Sequence, residues 1–176
     1  QGGVNVILRR TEDWLKFQAS ANGDELAGTL ERNADDLVTG LKEAASRSST
    51  PLLLVFCPPS PKLAKDAARS ALVQAVENRL IESLQGLPGL TLVRPDEFAR
   101  YPVANGYDPQ RDTLGHIPYT PLFFTALGTI VARKIHSLKS HPYKVIVLDC
   151  DNTLWKGVVG EEGTAGVQIT PGFRRL

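Results

Sequence analysis

The sequence has no methionine and only two cysteines, and each shortage excludes something. Two cysteines cannot build the disulfide framework of a small secreted scaffold. Both, Cys57 and Cys150, close apolar β-type runs, and they point to a reducing, cytoplasmic setting. The missing methionine, with the start Gln1-Gly2-Gly3, predicts a piece cut from a longer protein. No apolar run approaches the ~20 residues that cross a bilayer, and no signal peptide is recognisable. Charge of one sign is also lacking: 20 Lys and Arg face 19 Asp and Glu, with no basic block. That gives no footing for nucleic acid or an anionic membrane surface. Internal repeats and low-complexity tracts are absent too. What is present is 42% hydrophobic residues in 176, enough for one ordinary core and the start of a second.

Strand-like and helix-like stretches alternate along the chain. Val4-Asn-Val-Ile-Leu8 is a short β-type run. From Glu25, the residues Leu26, Leu30, Leu37, Val38, Leu41 and Ala45 recur at helical spacing, with Asn22 or Asp24 as the cap. Leu52-Leu-Leu-Val-Phe-Cys57 reads as the next strand, stopped by Pro58-Pro59. Ser60-Pro61 then predicts an N-cap with proline in the first turn. Ala64, Ala68, Leu72, Val76, Leu80 and Leu84 form the apolar stripe of the helix that follows. Leu90-Thr-Leu-Val93 is a third strand, 96–111 a polar loop, and Thr120-Pro121 the opening of a helix carrying Phe123, Phe124, Leu127, Ile130, Val131, Ile135 and Leu138. Such alternation predicts an α/β fold, a three-layer sandwich around a mainly parallel sheet. The seam with whatever follows is expected between Lys139 and Pro142.

The most informative stretch is Lys144-Val-Ile-Val-Leu-Asp-Cys-Asp-Asn-Thr-Leu-Trp155. Val145 to Leu148 reads as a strand buried on both faces, delivering Asp149 and Asp151 to its carboxyl end, where open α/β sheets place ligands. Carboxylates at i and i+2 of an extended segment share a side. Such a pair suits Mg²⁺-assisted phosphoryl chemistry, one acid attacking phosphorus and the other moving a proton. Cys150 between them is the residue a simple phosphatase does not need, whereas an acyl transferase does, because a thiolate can take an acyl group from an acyl phosphate. The alternative is a small buried cysteine behind the strand. Lys156, in the turn after Trp155, could steady a phosphate or be merely solvated.

The pattern Asp-x-Asp-x-Thr after an apolar strand resembles the first motif of haloacid-dehalogenase-type (HAD) phosphotransferases. The longer run Leu-Asp-Cys-Asp-Asn-Thr-Leu-Trp-Lys-Gly-Val-Val-Gly-Glu-Glu-Gly is similar to the FkbH-like branch. Val4-Asn-Val-Ile-Leu, Phe56-Cys-Pro-Pro-Ser and Gly115-His-Ile-Pro-Tyr-Thr120 resemble the N-terminal, SGNH-hydrolase-like domain of the same proteins. The resemblance implies an SGNH/flavodoxin-like domain over 1–141 and the start of a HAD (Rossmann-like) catalytic domain over 142–176. It implies that Asp149 is the phosphoryl-accepting nucleophile and Asp151 the general acid/base. It further implies that Cys150 carries a glyceryl thioester, and Thr153 and Lys156 are the candidates for cofactor binding. By the same resemblance, Mg²⁺ is expected to take a side-chain oxygen of Asp149 and the backbone carbonyl of Asp151.

The function so implied is dephosphorylation of 1,3-bisphosphoglycerate and loading of the glyceryl group onto the phosphopantetheine thiol of an acyl carrier protein, for polyketide assembly. The later HAD motifs have no counterpart in these residues, so the piece alone is expected to be inactive. Two other readings stand beside this one. The chain is a non-catalytic module that binds the carrier protein or a synthase neighbour, or it belongs to an ordinary HAD phosphatase with Cys150 inert. Asp112 and His116 invite comparison with the Asp-x-x-His of SGNH esterases, but the spacing here is one residue longer and no Gly-Asp-Ser segment is present. Arg9, Arg10 and Trp14 are read as a solvated strand end, with contact to phosphopantetheine or to the carrier protein as the alternative. Cys57 is read as structural.

Overall fold

Leu52–Phe56 is the strand on which the rest of the first unit is packed. All five of its residues are buried, as its unbroken apolar run requires. The computed structural model describes residues 2–18, 21–141 and 144–173; Gln1 and Pro142, named above at the start and at the seam, lie outside these. The chain divides into two compact units, Gln1–Lys139 and Ser140–Leu176.

In the first unit, β1 (Asn5–Arg9), β2 (Leu52–Phe56) and β3 (Leu90–Val93) form a three-stranded sheet in the order β1-β2-β3. Both pairings are parallel, with Ile7 opposite Leu54 and Leu54 opposite Leu92. A strand order that steps one way through right-handed crossovers puts both crossover helices on one face. That is the arrangement found: α1 (Gly23–Arg47) and α3 (Ala67–Leu84) share a core with Leu52, Leu54 and Phe56. The alternate residues Leu53, Val55 and Cys57 meet Tyr119, Leu127 and Ile130 on the other face, the last two from α5 (Pro121–Lys139). Period-2 alternation of β2 thus feeds two helical layers, an α/β arrangement with helices on both sides of a parallel sheet. Each fully buried Leu or Phe contributes roughly 1.5–3 kcal/mol.

Local signals set the boundaries. Asn22 accepts from the Glu25 amide while Glu25 returns a bond to the Asn22 amide, a reciprocal cap of about 1 kcal/mol. Ser60 caps a single short turn, α2 (Pro61–Ala64), through the Leu63 amide. The helix expected to run on from there does not. Asp66 accepts from the Arg69 amide at 3.0 Å and starts α3 afresh. Ala64 and Ala68 are consequently exposed, and Val73 joins Val76, Leu80 and Leu84 in the buried stripe. The expected polar loop 96–111 holds a 3₁₀ turn, Pro95–Arg100, and the helix α4 (Pro109–Gly115) capped by Asp108. The turn buries Phe98 against the ring of Phe123, with centroids 5.5 Å apart.

In the second unit, the strand expected at Val145–Leu148 is not formed. Its four residues have no regular structure and are 75%, 75%, 89% and 52% exposed. A strand needs a neighbour for its N–H and C=O groups, and among the described residues none pairs with this segment. What the unit does build is a turn over 150–157, an antiparallel bridge between Lys156 and Gln168, and α6 (Val159–Gly166), kinked at Gly163. None of residues 144–173 is buried.

Candidate active-site turn and a polar cleft

The two aspartates emerge into a turn that gives each a different set of partners. The Cys150 carbonyl accepts from the amides of Thr153 at 3.2 Å and Leu154 at 2.9 Å, folding the chain back directly after Asp149. Asn152 has a left-handed φ of 55°, a conformation asparagine tolerates better than most residues. Its Oδ1 accepts from the Gly157 amide at 3.0 Å, and Gly157, at φ 106°, needs the freedom of glycine to present that amide. Inside this loop Thr153 Oγ1 donates to Asp149 Oδ2 at 3.1 Å. Asp151 Oδ1 accepts from the Trp155 indole Nε1 at 3.0 Å and from the Val159 amide at 3.2 Å.

The consequence is an asymmetric pair. Asp149 is exposed and touched by one hydroxyl, whereas Asp151 is half-buried with one oxygen fixed by two donors. An exposed carboxylate can act as a nucleophile, and one with a fixed oxygen presents its other oxygen in a set direction. Cys150 is a free, exposed thiol, not the buried residue allowed as an alternative. Lys156 is exposed, and its backbone is pinned by two bonds to Gln168, of 2.9 and 3.0 Å. Among the described residues no group of three or more His, Cys, Asp or Glu side chains could hold a metal. Two carboxylates fit a hard cation that keeps most of its waters and shares phosphate oxygens, as Mg²⁺ does. Trp155 was not read as a site residue; its place four residues after Asp151 was the available signal.

A second cluster lies in the first unit, at the carboxyl ends of β1 and β2. Arg10, directly after β1, is buried, not a solvated strand end. Its Nε and Nη2 donate to Asp13 Oδ1 at 2.9 and 2.6 Å, and Nη1 and Nη2 each reach Asp112 at 3.0 Å. Glu12 stands 3.3 Å from the same guanidinium and accepts from the amide and hydroxyl of Ser60 at 2.8 and 2.9 Å. The Tyr107 hydroxyl donates to Asp112 at 2.7 Å. Burial alone would lower the Arg10 pKa, but the bonds to Asp112 and Asp13 outweigh it and hold the guanidinium firmly charged. Burial would likewise raise Asp112; hydrogen bonds from Arg10 and Tyr107 prevail and hold it below its usual value. Tyr107 is pushed up to about 12 by burial and by its bond to that carboxylate.

Arg9 is half-buried, its guanidinium carbon 3.6 Å from the centre of the Trp14 ring, and burial lowers its pKa to about 10. His116 caps α4 in a left-handed conformation and is exposed. Ser60, foreseen only as a helix cap, is also the partner that fixes Glu12. Burial pushes the Cys57 thiol up to about 11, which makes it a poor nucleophile.

No protein-family model and no curated protein sequence matches this chain. Among solved structures, it is similar to the N-terminal part of the protein BF1531 from Bacteroides fragilis, which contains a phosphatase domain and is complexed with Mg. The TM-score is 0.61 at 19% identity, over 94% of this chain and 45% of that one. At that identity the likeness defines a shared α/β architecture. The chain spans less than half the length of the structure it matches.

Proposed function

We propose that this chain carries the nucleophile segment of a Mg²⁺-dependent HAD-type phosphotransferase of the FkbH-like kind. The observation that carries the reading is the asymmetry of Asp149 and Asp151 within one hydrogen-bonded turn. The fold likeness to a structure containing a phosphatase domain complexed with Mg supports it.

In this reading Asp149 attacks the phosphorus of a phosphate monoester and its bond to the substrate oxygen breaks. Asp151 gives that oxygen a proton. Asp151 then takes a proton from water, whose oxygen attacks the aspartyl phosphate, releasing inorganic phosphate and restoring Asp149. The Asp149 carboxylate and the Asp151 backbone carbonyl would hold Mg²⁺, which would supply neutralisation of the phosphate charge. Thr153 orients Asp149, and Lys156 steadies a phosphate oxygen.

The finer assignment rests on Cys150, an exposed thiol between the two acids. Its thiolate attacks the acyl carbon of 1,3-bisphosphoglycerate, the bond to the phosphate oxygen breaks, and phosphate leaves. The thioester then passes to the phosphopantetheine thiol of an acyl carrier protein. The test compares variants of the whole protein that carries this segment. Asp149→Asn abolishes phosphate release from a simple phosphate ester. Cys150→Ala leaves hydrolysis of a simple phosphate ester intact but ends transfer of the glyceryl group to the carrier protein. Undiminished transfer by Cys150→Ala would reduce the assignment to an ordinary phosphatase, and full activity of Asp149→Asn would remove even that.

A further inference from the structure

The polar cleft of the first unit is built as a site in its own right. It encloses about 410 Å³, within the range of small-molecule pockets. It opens at the carboxyl ends of parallel strands, where such sheets bind ligands. Its floor is assembled from residues far apart in the chain: Arg10 with Asp112, and Glu12 with Ser60. Buried ion pairs of this kind are a poor source of stability, since desolvation offsets most of their attraction. A network kept in spite of that cost, under an open cavity, points to a use.

The hydrogen-bonding balance of the cleft defines the ligand. The floor carboxylates are committed: Glu12 to Ser60, Asp13 to Arg10, and Asp112 to Arg10 and Tyr107. The cations of the walls are held more loosely, by long ion pairs or by none. Lys16 stands 3.8 and 3.9 Å from Asp13 and Asp112, too far for hydrogen bonds, and Arg69 is 3.5 Å from Asp66. Lys62 makes no ion pair among the described residues. Lys16, Lys62 and Arg69 therefore keep donors available to a ligand, over an apolar base of Leu15 and Leu63. Four side-chain cations (Arg10, Lys16, Lys62, Arg69) face four carboxylates (Glu12, Asp13, Asp66, Asp112) in the lining. Selection thus comes from placed donors and not from bulk charge.

We propose that this cleft binds the phosphate group of a small organic phosphate through Lys16, Lys62 and Arg69, with the organic part over Leu15 and Leu63. The test is calorimetric titration of the 176-residue chain with glycerol 3-phosphate, inorganic phosphate and glycerol. The double variant Lys62→Gln/Arg69→Gln should weaken glycerol 3-phosphate about ten-fold or more, the loss of a charge-assisted bond. Lys42→Gln, on the exposed side of α1 and outside the cleft, should leave it unchanged. Absence of glycerol 3-phosphate binding, or equal weakening by Lys42→Gln, overturns the proposal. Inorganic phosphate binding as tightly as glycerol 3-phosphate overturns the organic part of the assignment, and glycerol binding as tightly overturns the phosphate part.

Discussion

Replacing Arg10 by methionine is the sharpest test of how the first unit is held together. Methionine keeps the apolar stem of the arginine and removes its charge and donors. The Arg10 side chain is 5% exposed, and Glu12 and Asp112, at 12% and 13%, are nearly as dry, whereas Asp13 at 35% is partly solvated. The substitution therefore strands two poorly solvated carboxylates, and removing one partner of a buried pair costs about 3–5 kcal/mol. That corresponds to a fall in melting temperature on the order of 10 °C for a unit of this size. The loss also depends on pH with a defined sign. Asp112 is held below its ordinary pKa in the folded protein. Its contribution is present above the unfolded carboxylate value and is lost as pH falls through the depressed folded value. In Arg10→Met that contribution is gone, so the gap to the parent is widest at neutral pH and closes in acid. Urea unfolding followed by circular dichroism from neutral to acid pH measures both. Adding Asp112→Asn to Arg10→Met should recover part of the loss, because one stranded charge goes with it. A change below about 1 kcal/mol at neutral pH, the level of an exposed pair, or a gap that does not narrow in acid, would refute the reasoning.

Two further outcomes follow from named contacts. With Asp151 as the proposed acid/base, Trp155→Phe in the whole protein deletes the indole bond to Asp151 and keeps the ring; a bond of about 1–1.5 kcal/mol predicts a fall in kcat of about ten-fold with KM little changed. A change in KM alone would place Trp155 in binding instead. Alkylation of the native chain should modify Cys150 and spare Cys57, which is buried with its pKa near 11; peptide mapping after a short iodoacetamide pulse reads this directly. Equal labelling would mean that β2 opens readily.

Much of the first unit was legible because its signals are local. The apolar run of β2, the helical period from Leu26 to Leu41 and the caps at Asn22 and Ser60 each act within a few residues. The fresh start at Asp66 is not legible, because an N-cap aspartate inside an apolar-periodic stretch looks like any exposed helical position. The burial of Arg10 was not legible at all, since Asp112 lies beyond two strands and two long helices in sequence. Val145–Leu148 shows the opposite failure. Its composition is right for a buried strand, but a strand is completed by its neighbours, and none among the described residues supplies one. At the aspartate turn, the residue types were legible; the donors that separate Asp149 from Asp151 depend on the left-handed Asn152 and on Trp155, and no period reveals those.

The proposed function makes Asp149 and Cys150 chemically distinct acceptors within one turn. Intact-protein and peptide mass spectrometry tests it most directly, after incubating the whole protein that carries this segment with Mg²⁺ and 1,3-bisphosphoglycerate. The account predicts a glyceryl-type acyl adduct on Cys150, absent from Cys150→Ala, and a phosphoryl adduct on Asp149 when turnover is quenched in acid. Phosphate release with no adduct at either residue would contradict it.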